Sequence, residues 1–494
     1  MSGRLLLQII IVTLILSGCN TSVEKPNIVI FFIDDIGWKD WSGGGSDYFE
    51  TPNIDRIAGE GINFTNGYVN AANCAPSRCC LLSGQYAPRT NFYNVWSVHR
   101  GNKNMDRLSL SEVVDNQTFD DEKVSFAEAM RKAGYKTAMY GKWHVSGHDL
   151  HGSGNEGGIS AQMQGFDKVL EHPARDLGDL FQEQPDDPKQ IFTYTRRAVQ
   201  FAEQCVSEDK PFLIYLAHHA VHAGNMARRE TLARYIDKKQ GIFHNNIKPA
   251  YGAMMDDLDA SIGMFMEKLK ELNIDQETVI VFLSDNGGPP DHGSQAPLRS
   301  WKGSYYEGGI RVPFLVRWPG KIKPGTESKT PIMAIDLYPT MLELAGIRNI
   351  EKHLGDYPID GKSIVSELFG NQSKELEDRA IYWHFPAYLK GNPTYTGTRD
   401  YPDYRAQPVS VIRKGDWKLM MFMEEWSLDG GRSNIANNNA IELYNLKDDI
   451  GEINNLALRE IEVRDSLLDE LLTWQKSIIA TIPKEPNPEL NIFE

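Results

Sequence analysis

The 494-residue sequence predicts an α/β fold: a large central, mostly parallel sheet sandwiched by helices, followed by a smaller C-terminal antiparallel sheet with a helix. Three observations carry that expectation. Continuous apolar runs rich in β-branched and aromatic residues, at 28–33, 212–217, 278–283 and 314–316, read as strands buried on both faces, as parallel strands are. Helical stretches separate them. The clearest is marked by Leu258, Ile262, Phe265, Leu269 and Leu272, which recur at steps of four and three and form one apolar stripe. After about Gly346 the texture changes to a loop-rich stretch and then to short strand-like pieces at 381–384, 409–413, 418–421 and 442–445, closed by a helical segment at 460–478. Strands alternating with helices imply a sheet covered on both faces, and the later pieces imply a second, antiparallel unit. We therefore expect a large α/β domain over 26–375 and an α+β subdomain over 376–494.

The composition fits a globular chain. With 41% hydrophobic and 24% charged residues it carries no collagen-like, coiled-coil or disordered signature. The balance of 52 Lys+Arg against 67 Asp+Glu, net −15, argues against a broad attraction to nucleic acid, so no nucleic-acid partner is expected. At the start of the chain Arg4 precedes an apolar run from 5 to 16, and Leu16-Ser17-Gly18-Cys19 follows at once. That run is too short to span hydrocarbon comfortably, and the small residues before Cys19 suit a bacterial lipobox. The expectation is a lipoprotein signal peptide over 1–19, a lipid on Cys19, a tether over 20–25, and a protein anchored in the cell envelope, in the periplasm or at the outer membrane or cell surface. The other cysteines, Cys74, Cys79, Cys80 and Cys205, are too few and too irregularly spaced for a disulfide scaffold.

In open α/β sheets ligands bind beyond the carboxyl ends of the strands, so polar groups just after strands are the candidates for chemistry. Asp34-Asp35 follows the first apolar run and Asp285-Asn286 the third. Gly141-Lys142-Trp143-His144 follows a strand-like piece at 137–140, and the histidines 218, 219 and 222 follow the second run. Pro76 suits the first turn of a helix, which would set Cys74 at a helix N-terminus, where backbone donors favour developing negative charge.

The run Cys74-Ala75-Pro76-Ser77-Arg78, with Leu82-Ser83-Gly84 behind it, resembles the signature of the formylglycine-dependent sulfatases of the alkaline phosphatase superfamily; Ser83 stands where Thr is usual and keeps the hydroxyl. The other motifs occur in that family's order: Asp34-Asp35, Gly141-Lys142-Trp143-His144, His222, Asp285-Asn286, and Pro297 to Lys302 running on to Glu307-Gly308-Gly309-Ile310-Arg311-Val312-Pro313. The resemblance covers nearly all of the chain from Asn27 onward. It implies an alkaline phosphatase-like sheet and hydrolysis of sulfate monoesters, in the manner of bacterial polysaccharide and aryl sulfatases. It also implies that a maturation enzyme oxidises Cys74 to formylglycine, whose hydrate is the nucleophile. Asp34, Asp35, Asp285 and Asn286, completed by the modified Cys74, would hold one calcium ion; three carboxylates and an amide oxygen suit a hard cation such as calcium or magnesium. Arg78 and Lys142 would hold the hydrate, and His144 would help release sulfate from the enzyme. Lys302 would meet the sulfuryl oxygens, and His222 would protonate the leaving oxygen, with His218 and His219 as rivals for that role. Asp285 would help deprotonate the attacking hydroxyl. Arg311 is expected to pair with a buried acid. Trp96, Trp301, Trp383 and His384 suggest a sulfated carbohydrate substrate. Two other readings stay open here: a phosphoester or phosphonate hydrolase of the same superfamily, and a glycan-binding surface lipoprotein whose Cys74 is never oxidised.

Overall fold

In the computed structural model, residues 25–487 are described apart from 96–115, 117, 147–158, 172–185, 223, 242–246, 290–294, 389–393, 399–400 and 406. The expected lipobox, Cys19 and Trp96 lie outside the described residues. Eight strands form the large sheet: β1 (Asn27–Ile33), β2 (Gly61–Phe64), β3 (Lys136–Gly141), β4 (Lys168–Glu171), β5 (Phe212–Ala217), β6 (Thr278–Ser284), β7 (Phe314–Arg317) and β8 (Thr326–Ser328). Their spatial order is β4-β3-β5-β1-β6-β7-β2-β8. From β4 to β6 every pairing is parallel; β7 runs antiparallel to both β6 and β2, so the sheet is mixed at that side.

The central strand shows why these sequences are apolar without alternation. Ile28, Ile30 and Phe32 pack into one layer with helices α1 (Cys74–Ser83) and α4 (Leu337–Leu344), whereas Val29, Phe31 and Ile33 pack into the other with α2 (Ile191–Ser207) and α3 (Pro249–Glu271). Successive side chains point to opposite faces and both faces are covered, so every position must be apolar. Each such buried side chain contributes about 1.5–3 kcal/mol. Leu258, Ile262, Phe265 and Leu269 form the buried stripe of α3.

The second unit is a four-stranded antiparallel sheet in chain order, β9 (Ala380–Phe385), β10 (Val409–Lys414), β11 (Trp417–Phe422) and β12 (Ile441–Asn445). Helix α5 (Ile461–Ser477) covers it through Leu467, Leu468, Leu471 and Trp474, and the Trp474 ring stacks on Tyr382 at 4.4 Å between centroids. Trp383 and His384 turn into this core: the Trp383 indole donates to the Val69 carbonyl at 2.7 Å, and the His384 ring meets the Ser410 hydroxyl and the Thr481 carbonyl. Buried there, these two residues give no support to the carbohydrate substrate that they suggested in the sequence. Successive side chains of β9 point to opposite faces, and both faces are covered, so each polar-tipped ring is buried and finds its own partner. Trp301 is partly buried against the same core. Among the described residues no helix is long and apolar enough to cross a membrane.

Candidate active site

Register brings the site together. Ile33 of β1 pairs with Ser284 of β6, so the residues that follow, Asp34 and Asp285, leave the sheet side by side. On the other flank Gly141 of β3 pairs with Ala217 of β5, which delivers Lys142 to His144 and His218 to His222 to the same edge. Gly141 has φ 115°, and a Cβ there would lie 2.0 Å from the Ala217 carbonyl oxygen, so the close crossing needs glycine. Cys74 is the first residue of α1; before it, Asn73 is extended and makes no side-chain cap to the amide groups of the first turn.

The charges interlock. The Arg78 guanidinium donates twice to Asp285 Oδ2, at 3.0 and 2.6 Å, and once to the Lys142 carbonyl at 2.9 Å, with its plane 5.2 Å from the Phe32 ring. Lys142 Nζ donates to Asp34 Oδ2 at 2.6 Å, and Lys302 Nζ to Asp35 Oδ1 at 2.6 Å. His219 Nδ1 lies 3.2 Å from Asp34 Oδ2, and His222 Nε2 lies 3.8 Å from Asp35 Oδ2. The Asn286 amide reaches Asp35 Oδ1 at 2.6 Å. The Cys74 sulfur and one oxygen each of Asp34 and Asp285 all lie within 4.8 Å of one another. Asp35 and His144 hold φ of 70° and 62°, backbone conformations that cost free energy in non-glycine residues and that cluster at functional sites.

Burial acts on every group. It would push Asp34 up, but Lys142, His222, His219 and Arg78 together hold its carboxyl well below the usual range. Asp285 goes the other way, up to about 7, through burial and then the neighbouring Asp34 charge, against Arg78. Burial, then Lys142 and Arg78, keeps His144 well below its ordinary value; burial does the same to His222 although Asp34 opposes it. The Cys74 thiol is pushed up by burial despite Lys142 and Lys302, so as a plain thiol it makes a poor nucleophile.

The donor set fits a hard cation. Asp34 Oδ1 and Asn286 Oδ1 are buried without a hydrogen-bond partner among the described residues, next to the carboxylates of Asp35 and Asp285. A buried oxygen left unmade is costly, and an ion there would satisfy it. Asp34, His219 and His222 form a second group within the same reach.

All the sequence-derived candidates converge: Asp34, Asp35, Cys74, Arg78, Lys142, His144, His222, Asp285, Asn286 and Lys302. The structure separates the rival histidines. His218 stacks on Phe31 in the core, where burial lowers its pKa to about 3, whereas His219 faces Asp34 beside His222. Sequence reasoning missed Lys189, whose ammonium donates to the His222 carbonyl at 3.1 Å; it precedes a helix rather than following a strand, and nothing in its neighbourhood marks it. Arg311 pairs with the buried Glu307 at 3.3 Å, as expected.

The family model described as Sulfatase matches residues 26–347. The chain is a member of the sulfatase family. It is a sulfuric ester hydrolase, and its C-terminal part, residues 301–477, also matches the family model described as N-sulphoglucosamine sulphohydrolase, C-terminal. This sulfatase is 32% identical to a sulfatase of Formosa agariphila over 88% of this chain and 84% of that one. It is 29% identical to the N-acetylgalactosamine-6-sulfatase of Mus musculus over 75% of this chain and 69% of that one. Among solved structures, Ps i-CgsB in complex with k-i-k-neocarrahexaose matches with a TM-score of 0.70 at 25% identity, covering 91% of this sulfatase and 92% of that chain.

Proposed function

We propose that this sulfatase removes sulfate from a sulfated carbohydrate, with formylglycine made from Cys74 as nucleophile and one calcium ion held by Asp34, Asp35, Asp285 and Asn286. The observation that carries this reading is the convergence of the Cys74 sulfur with Asp34 and Asp285 at the N-terminus of α1. The sugar is suggested by two relatives, one named for an N-acetylgalactosamine 6-sulfate and one bound to a neocarrahexaose. When bound, the cation supplies positive charge for the sulfuryl oxygens, and the aldehyde hydrate supplies two hydroxyls, one to attack and one to expel sulfate afterwards.

A sulfate monoester resists hydrolysis because its anionic oxygens repel nucleophiles and its leaving oxygen is a poor one. Arg78, Lys142 and Lys302 place three cations around the position of Cys74, where charge on the sulfuryl group would be neutralised in a site largely closed to water. Asp285, adjoining Cys74, accepts the proton of the attacking hydroxyl. His222 keeps some exposure and faces the departing alcohol oxygen; burial holds its pKa well below the ordinary value, so it gives a proton there only once the anionic sulfate beside it has favoured its charged form. His144, kept neutral by burial and its cationic neighbours, takes the proton whose loss lets the second hydroxyl expel sulfate.

The reading extends to maturation and placement. A formylglycine-generating enzyme would act on Cys74, and Cys19 would carry the lipid that anchors the protein in the envelope. Mass analysis of the Cys74 peptide from active protein tests the central claim. We expect the thiol mass replaced by that of an aldehyde that reacts with a hydrazide, together with sulfate release from a sulfated oligosaccharide. Full activity from protein whose Cys74 is entirely thiol would overturn it. Faster turnover of a matched phosphate ester would favour the phosphoester alternative.

A further inference from the structure

Lys302 sits on a loop whose two ends are held by one residue of the other unit. Within the loop, Gly308 N–H donates to the Arg299 carbonyl at 2.9 Å, closing it into a ring around Lys302. Lys302 N–H donates to the Gly288 carbonyl at 3.1 Å, Gly303 N–H to Ala72 at 2.8 Å, and Gly287 N–H to Gly309 at 3.0 Å, so the loop touches the backbone next to both Asn286 and Cys74. Its outer side meets Glu452, which follows β12. The Glu452 carbonyl accepts from Arg299 at 2.8 Å, and Glu452 Oε2 accepts from Glu307 N–H at 2.7 Å. Glu452 Oε1 is held at 2.8 Å by Lys418 of β11, which also reaches Glu307 Oε1 at 2.9 Å. Glu452 is wholly buried and has φ 53°, a left-handed conformation that favours glycine.

A seam meant only to hold two units together would be as stable with apolar contacts, because taking charges out of water offsets their attraction. What ionic contacts add is one permitted geometry, and here that geometry grips the loop at Arg299 and Glu307, on either side of Lys302. We infer that Glu452, from the C-terminal unit, is a positioning residue for Lys302, so that the antiparallel unit takes part in catalysis without touching substrate. This rests on the role proposed for Lys302.

A double-mutant cycle tests it on the matured, metal-loaded enzyme, with sulfate release from a chromogenic aryl sulfate. Glu452→Gln keeps the shape but loses the charge that Lys418 fixes. We expect it to lower kcat about 10-fold in the native background and by less than about 2-fold in the Lys302→Ala background, since a displaced lysine no longer matters once it is absent. Glu452→Asp should recover part of the loss. Arg299→Gln, at a partly exposed residue, should show the same dependence on Lys302 with a smaller factor, and it stands in should Glu452→Gln fold poorly. An equal loss in both backgrounds, or no loss in either, would overturn the inference while leaving the site reading intact. A Lys302→Ala enzyme with native kcat would instead overturn the role of Lys302 itself.

Discussion

Two buried ionic clusters lie on the two sides of the segment around Lys302, and they differ in one respect that separates chemistry from architecture. In the first, Asp34, Asp35 and Asp285 face Lys142, Lys302 and Arg78; in the second, Glu307 and Glu452 face Lys418 and Arg311. Both hold strongly shifted carboxyls: Asp285 goes up to about 7 through burial and Asp34, while Glu307, in spite of burial, is held down to about 2 by Lys418, Arg311 and Arg413. Perturbed acidity alone would not tell them apart. Access does. The side chains of Lys142, Lys302 and His222 keep 11%, 18% and 15% of their surface, whereas Lys418, Glu307 and Glu452 keep none. The first cluster also leaves Asp34 Oδ1 and Asn286 Oδ1 without a hydrogen bond or a cation beside them among the described residues, whereas Glu452 Oε1, which also lacks a hydrogen bond, has the Lys418 ammonium at 2.8 Å. A site for chemistry is an ionic cluster with a mouth and unspent oxygens; a structural one is sealed and internally matched.

That contrast predicts opposite profiles for substitutions in the two clusters. The largest expected effect is Cys74→Ala, which should lower kcat at least about 10³-fold while shifting Tm little, because only a small side chain at a helix start is lost. Cys74→Ala with measurable turnover by purified enzyme would break the contrast at its strongest point. Next comes Lys418→Met, which removes the ammonium shared by two buried glutamates and should cost about 3–5 kcal/mol in denaturant unfolding. A cost below about 1 kcal/mol would mean that water reaches the sealed cluster. Arg78 and Asp285 are as buried as Lys418, so Asp285→Ala should forfeit stability together with activity; Asp285→Asn should keep more of the former.

Chelation sharpens the comparison further. Removing a cation from the open cluster should lower Tm and abolish turnover, and calcium should restore both; at about 100 times Kd the bound ion is worth about 2.7 kcal/mol. Zinc recovered at one per chain would point instead to the group formed by Asp34, His219 and His222. The smallest effect belongs to Glu171 at the end of β4, which burial pushes up to about 7. A raised carboxyl pKa means that the folded state prefers the protonated form, so this contribution is full below about pH 4.5 and is lost as pH rises through about 7. Glu171→Gln should therefore leave Tm unchanged near pH 4.5 and raise it by about 1–2 °C at pH 8, once partial exposure is allowed for. A Tm difference independent of pH would show that this carboxyl is not shifted.

How much of this was legible in the sequence follows from which forces act locally. β1, β5 and β6 were readable because burial on two faces forces an uninterrupted apolar run, and the acids and histidines were readable because they stand directly behind those runs. β2 and β8 were not: Gly61–Phe64 and Thr326–Ser328 are too short to show a period, and their pairing is set by neighbours far along the chain. Trp383 and His384 misled because β9 is covered on both faces, which side-chain chemistry alone does not reveal. Lys189 and Glu452 act through backbone groups of distant segments, and a sequence gives no sign of such contacts.

The pairing of Ile33 with Ser284 also acts as a length standard. Because side chains alternate along a strand, adding or removing a single residue inside β6 would turn its last side chains to the wrong face and shift Asp285 by about 3.3 Å relative to Asp34. Substitutions along β6 need only conserve bulk and apolarity, but its residue count between Thr278 and Asp285 is not free to drift. Related chains should therefore differ widely in the identity of these residues and hardly at all in their number.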